Sequence, residues 1–132
     1  MKKRSITKIS NLKLKPFNRY GKPIPKLSWH PISYDKKSGQ GSYILKFKAG
    51  GKSLKHKHLG TEEFLVLKGS LKDSDNTEFK VGDFVSFKSG STHFSSSTKG
   101  CLLLVFMNGI NKLLSSCSKI KSVSDAVSIS NL

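Results

Sequence analysis

Arginine and acid are both scarce in this 132-residue chain. Only Arg4 and Arg19 stand among 24 basic side chains, against eight acids. The shortage of arginine matters because recognition of phosphates and base edges favours its planar fork over the point charge of lysine. The lysines are spread out and lack interleaved aromatics. Nucleic acid is therefore not the expected partner, and any affinity for it should be weak and fall steeply with salt. Cysteine is nearly missing too: Cys101 and Cys117 cannot frame a fold of this length, which points to a reducing, cytoplasmic setting. No apolar run is long enough to cross a bilayer. The opening MKKRSITKISNLKLKPF carries charge, but lysines interrupt the apolar core that a signal peptide needs. There is no internal repeat, no CxxC pair and no phosphate-cradling glycine loop. The length fits one domain with a core of its own.

The charge is unevenly placed. Met1 to Lys57 holds 16 basic residues and one acid, Asp35, for a balance of +15; His58 to Leu132 holds 8 and 7, for +1. The basic first half reads as solvated surface, with a nucleic-acid-associated regulator as the alternative.

Short strands separated by Gly and Ser turns fill the middle of the chain, the pattern of an antiparallel sandwich or jelly roll. Leu27 to Tyr34 reads as a first strand, placed at an edge by Pro31. Asp35 to Gly39 is a hairpin turn by composition. Ser42 to Lys48 alternates Tyr43, Leu45 and Phe47 against Ile44, Lys46 and Lys48. Cys101 to Met107 is apolar on both faces, as a central strand should be. After Gly109, the spacing of Ile110, Leu113, Leu114, Cys117 and Ile120 predicts a short amphipathic helix on the outside of the barrel.

The chemistry concentrates in GGKSLKHKHLGTEEFLVLKG, Gly50 to Gly69. A strand's period of two sends His56 and His58 to one side and Lys57 to the other. Gly60 permits a turn that returns Glu62 beside the imidazoles. Two neutral nitrogens and a carboxylate oxygen on one face suit a divalent transition metal. On the same alternation Glu62, Phe64 and Val66 face inward. Glu63, Leu65 and Leu67 face outward, where they need cover from another layer or subunit.

Gly50, His56, His58, Glu62 and Gly69 fill every fixed position of the first motif of the cupin family, which this chain therefore resembles. Gly82, Gly90 and His93 match the second motif, in which Lys88 replaces a proline and Ser97 an asparagine. EEFLVLKG, then GDFVSFKSGSTHFSSSTKGC, is similar to the ChrR-type cupin domain found at the C-terminus of anti-sigma factors. The resemblance implies an all-β fold, a small antiparallel double-stranded β-helix (cupin jelly-roll barrel). It also implies His93 as a fourth metal ligand beside His56, His58 and Glu62. Anti-sigma factors carry a helical sigma-binding domain ahead of the cupin. These 132 residues hold no counterpart, so a stand-alone domain is expected.

The expected layout is a basic segment over 1–26, the barrel over 27–107 and a helix or tail over 108–132. Zinc is the first choice of metal, with Fe(II), Mn or Ni as alternatives. The expected function is binding or sensing of a small molecule or oxidant by a homodimer. A dioxygenase or isomerase acting on a small oxygenated or dicarbonyl metabolite is the alternative.

Overall fold

A computed structural model describes residues 3–114. The chain forms antiparallel strands, with one turn of 3-10 helix at Ile9–Asn11. Strands β1 (Lys15–Pro16), β2 (Leu27–Pro31), β3 (Gln40–Phe47), β4 (Gly51–Lys52), β5 (His56–His58) and β6 (Thr61–Asp73) are followed by β7 (Glu78–Lys80), β8 (Phe84–Phe87), β9 (Thr92–His93), β10 (Ser95–Ser97), β11 (Cys101–Asn108) and β12 (Asn111–Leu113). One sheet runs β1-β2-β3-β11-β6-β10-β4, with β7 and β8 also on β6, and a small sheet runs β12-β5-β9. The curled sheets make the expected jelly-roll barrel.

Strand β6 is the hub. Its first half pairs with β11 and β8, and its second half with β7 and β10. The alternation holds at first, with Glu62, Phe64 and Val66 buried and Glu63, Leu65 and Leu67 half-exposed. Leu102 then pairs with Lys68 but Leu103 with Val66, so Leu67 is the extra residue of a bulge. A bulge reverses the face on which later side chains emerge. Leu71 is accordingly buried, and Asp73 is turned to the same side. Gly69 sits at this bend with φ of +71°, where a Cβ would meet the Gly100 carbonyl oxygen at 2.0 Å.

Strand β11 lies between β3 and β6, as its apolar character requires. Cys101, Leu103, Val105 and Met107 are buried, while Leu102 and Leu104 are half-buried and Phe106 is exposed. Phe17, Trp29, Tyr34 and Tyr43 pack edge-on or tilted with ring centroids 4.9–6.1 Å apart, the geometry aromatic quadrupoles favour.

Three expectations are corrected. Strand β2 is not the edge, because Lys15–Pro16 pairs with Ser28 and Trp29 and takes that place. Pro16 suits an edge, where no ladder donor is needed. Ile44, grouped by alternation with Lys46 and Lys48, is fully buried; it lines a groove of about 500 Å³ with Ile9, Leu12 and Leu14 of the N-terminal segment. The helix does not begin at Ile110: Asn111–Leu113 is a strand paired with His56–His58. Unsatisfied backbone groups on the edge of β5 outweigh the weak helical spacing. The remainder of that expected helix, with Cys117 and Ile120, lies outside the described residues.

Candidate metal centre

His56 and His58 stand on β5 with both side chains buried and Lys57 exposed. His93, on β9, is the direct cross-strand partner of His56. Glu62 enters from the start of β6. Gly60 makes that approach possible: a Cβ there would lie 1.8 Å from the Asn108 carbonyl oxygen. The four side chains are all buried, and one donor atom from each lies within 4.8 Å of the others. His56 Nε2 is 3.1 Å from His58 Nε2, which is 3.2 Å from His93 Nε2. Glu62 Oε1 lies 2.7 Å from His58 Nε2 and 3.7 Å from His93 Nε2.

The opposite ring nitrogens are each tied to an acceptor. His56 Nδ1 donates to the Leu54 carbonyl at 2.7 Å, and His93 Nδ1 to Asp73 Oδ1 at 2.7 Å. Ser91 gives its single hydroxyl proton to the Lys88 carbonyl at 2.7 Å. It therefore accepts from His58 Nδ1, 2.8 Å away. With every Nδ1 protonated, three Nε2 lone pairs and a carboxylate oxygen face one another. Such a set repels itself unless a cation stands between. A metal about 2.1 Å from each donor would hold neighbouring donors roughly 3.0–3.4 Å apart. The four shorter separations, 2.7–3.7 Å, bracket that range, so the residues could hold a divalent metal.

Charge behaves accordingly. Without a metal, burial alone would raise the Glu62 carboxyl, but hydrogen bonds that His58 and His93 donate through a protonated Nε2 outweigh it and hold the group well below the usual carboxylate range. Burial lowers His56 to about 4, against the pull of Glu62. His93 goes the other way: burial works against its charge, but Glu62 and Asp73 raise it above the ordinary histidine value. Phe87 packs on His93 and His58, with centroids 4.2 and 5.3 Å away, and shields the cluster from one side.

The structure thus brings together all four expected residues, His56, His58, Glu62 and His93. Glu63 points away and accepts from Ser86. Asp73 and Ser91, which orient two of the histidines, are roles that sequence reasoning misses. So is that of Arg19, whose side chain lines a small cavity of about 40 Å³ beside His56, Glu62 and His93.

Fold and site together define a cupin whose cluster of three histidines and one glutamate could hold a metal ion. The ChrR Cupin-like domain family matches residues 4–111, and the chain belongs to that family. No curated protein matches the sequence. Among solved structures, a cupin-fold protein of unknown function from Ralstonia eutropha is 17% identical, with a TM-score of 0.62 over 67% of this chain and 63% of that one. An acetylacetone dioxygenase from Acinetobacter johnsonii is 14% identical, with a TM-score of 0.68 over 92% and 87%. The complex of SigE with the anti-sigma ChrR from Rhodobacter sphaeroides is matched at 17% identity, with a TM-score of 0.58 over 74% and 49%. The chain thus spans less than two thirds of the Ralstonia protein and about half of the matched chain in the ChrR complex. At these identities the likeness is one of fold. Among the described residues no helix is long and apolar enough to cross a membrane.

Proposed function

We propose that the protein holds one divalent metal, zinc, on His56, His58, Glu62 and His93, and uses that centre in the cytoplasm to bind or sense a small molecule or oxidant. The observation that carries this reading is the anchoring of all three Nδ1 atoms, which leaves three Nε2 lone pairs converging on Glu62. Four protein donors satisfy zinc at rest, and the ion can expand to five-coordinate when a ligand arrives. Binding is favoured over turnover because the acids beside the cavity are already engaged, Glu62 among the imidazoles and Asp73 on His93. The cavity of about 40 Å³ is also small for a dicarbonyl metabolite. The direct test is elemental analysis of protein purified without chelators. Zinc near one per chain is expected. Protein that stays well below one divalent metal per chain after equilibration with zinc would overturn the reading.

A homodimer belongs to the same proposal. Leu65, Leu67 and Leu104 are only half-buried on the outer face. Phe84 and Phe106 remain exposed there among the described residues, with rings 6.4 Å apart. A second copy would cover them. Light scattering should give twice the 14.6 kDa chain mass. A monomer at micromolar concentration would contradict it.

A further inference from the structure

Arg19 is a half-buried cation without a carboxylate partner among the described residues. Its Nη1 donates to the Tyr43 hydroxyl at 3.2 Å. Its guanidinium carbon lies 5.0 Å from the ring centre of Tyr34 and 5.4 Å from that of Tyr20, within the range of cation–π attraction. These contacts hold the fork still. They leave Nη2 buried with no hydrogen-bond partner among the described residues. Asn111, on the strand that flanks His58, repeats the pattern. Its Nδ2 donates to the Tyr20 hydroxyl at 3.1 Å, and its Oδ1 is buried without a partner among the described residues. Both residues line the 40 Å³ cavity beside His56, Glu62 and His93. Two buried polar atoms left unsatisfied beside one cavity are uncommon, because each costs the free energy of its lost hydration.

The charge balance points the same way. A divalent cation and Arg19 bring three positive charges to the lumen, and Glu62 and Asp73 bring two negative ones. One positive charge is left over. A cavity of about 40 Å³ holds more than a single water yet is too small for a metabolite of ordinary size. We propose that Arg19 and Asn111 form a subsite for a small monoanionic carboxylate, formate to acetate in size, held between the guanidinium and the metal. Arg19 Nη2 donates to a carboxylate oxygen, and that charge-assisted bond supplies the larger share of the affinity. Asn111 Oδ1 can only accept, so it sits beside the carboxylate rather than on it and takes its hydrogen bond from a water held with the ligand. This subsite rests on the metal reading above and names the ligand class that such a centre would take.

The test uses the full chain loaded with cobalt(II), whose visible spectrum reports its ligand field. Metal content is measured first, in the wild type and in Arg19→Gln. Formate is then titrated, followed by absorption and by thermal melting. The wild type should show a saturable spectral change and a rise in Tm. Arg19→Gln should carry the same metal and bind formate about tenfold more weakly or worse, since one charge-assisted hydrogen bond is lost. Arg19→Lys, which keeps the charge, should recover part of the loss, and so separates anion recognition from simple packing. Bound metal with no formate response in the wild type overturns the subsite alone. Equal formate affinity in wild type and Arg19→Gln does the same. Failure to bind metal at all overturns the subsite together with the metal reading.

Discussion

Replacing Asp73 by Asn changes one charge behind His93 and leaves the metal-facing atoms in place. Asp73 Oδ1 takes the Nδ1 proton of His93 at 2.7 Å, which fixes the tautomer and makes Nε2 a stronger donor. An amide oxygen can still accept that proton, so the ring keeps its orientation but loses the adjacent negative charge. Partners of this kind are typically worth 10–100-fold in metal affinity, or about 1.4–2.7 kcal/mol. The lower half of that span is expected for Asn and the upper half for Ala, which removes the acceptor entirely. The same change should lower the pKa of His93, because Asp73 is one of the groups that raise it. Less proton competition then offsets part of the loss below neutral pH, so the deficit should be largest at pH 8. Competition against a chromophoric chelator at pH 6.5 and 8 measures this. Asp75→Asn, a change at an exposed turn residue, is the control. Wild-type affinity in Asp73→Ala would refute the orienting role.

Two further outcomes follow from the cited shifts. His93 is raised in the folded protein, so in the metal-free form its stabilising contribution is complete below about pH 6.5 and is lost as pH rises through its folded value. Metal must displace that proton, so its affinity rises over the same interval. His56, at about 4, adds no competition above pH 5. The gap in Tm between metal-loaded and metal-free protein should therefore widen from pH 6 to pH 8, and a constant gap would contradict the assignment. Burial pushes the Cys101 thiol up to about 11 against an opposing bond from Ser97, and the side chain lies in the core. Alkylation at pH 8, read on the Cys101 peptide by mass spectrometry, should be slow in the native protein and fast in denaturant. Fast native labelling would show that the strand opens.

Three of the four proposed ligands are legible from short local patterns, and His93 only from the resemblance to the second cupin motif. His56 and His58 need only the period of a strand, and Glu62 only a turn at Gly60. Asp73 is not legible: strict alternation from Glu62 sends it outward, and only the bulge at Leu67 brings it in. A bulge depends on how two distant strands pair, which no local window contains. Strand β12 is hidden for a similar reason. Ile110, Leu113 and Leu114 imitate a helical stripe, and the tertiary pairing with His56–His58 overrides it. Arg19 sits in a segment whose charges look uniformly solvated. Its flanking Phe17 and Tyr20 are the one local hint that this cation is half-buried in an aromatic setting.

The most direct measurement is metal stoichiometry in the Glu62→Gln, His93→Ala double variant, purified without chelators beside the wild type and a Lys57→Ala control. Lys57 points out of the barrel, so that control should keep one metal per chain, as the wild type should. The double variant loses the carboxylate charge and one of three imidazoles, and should retain almost none while circular dichroism still shows the β fold. A folded double variant with a full equivalent of metal would place the ion elsewhere and contradict the central claim.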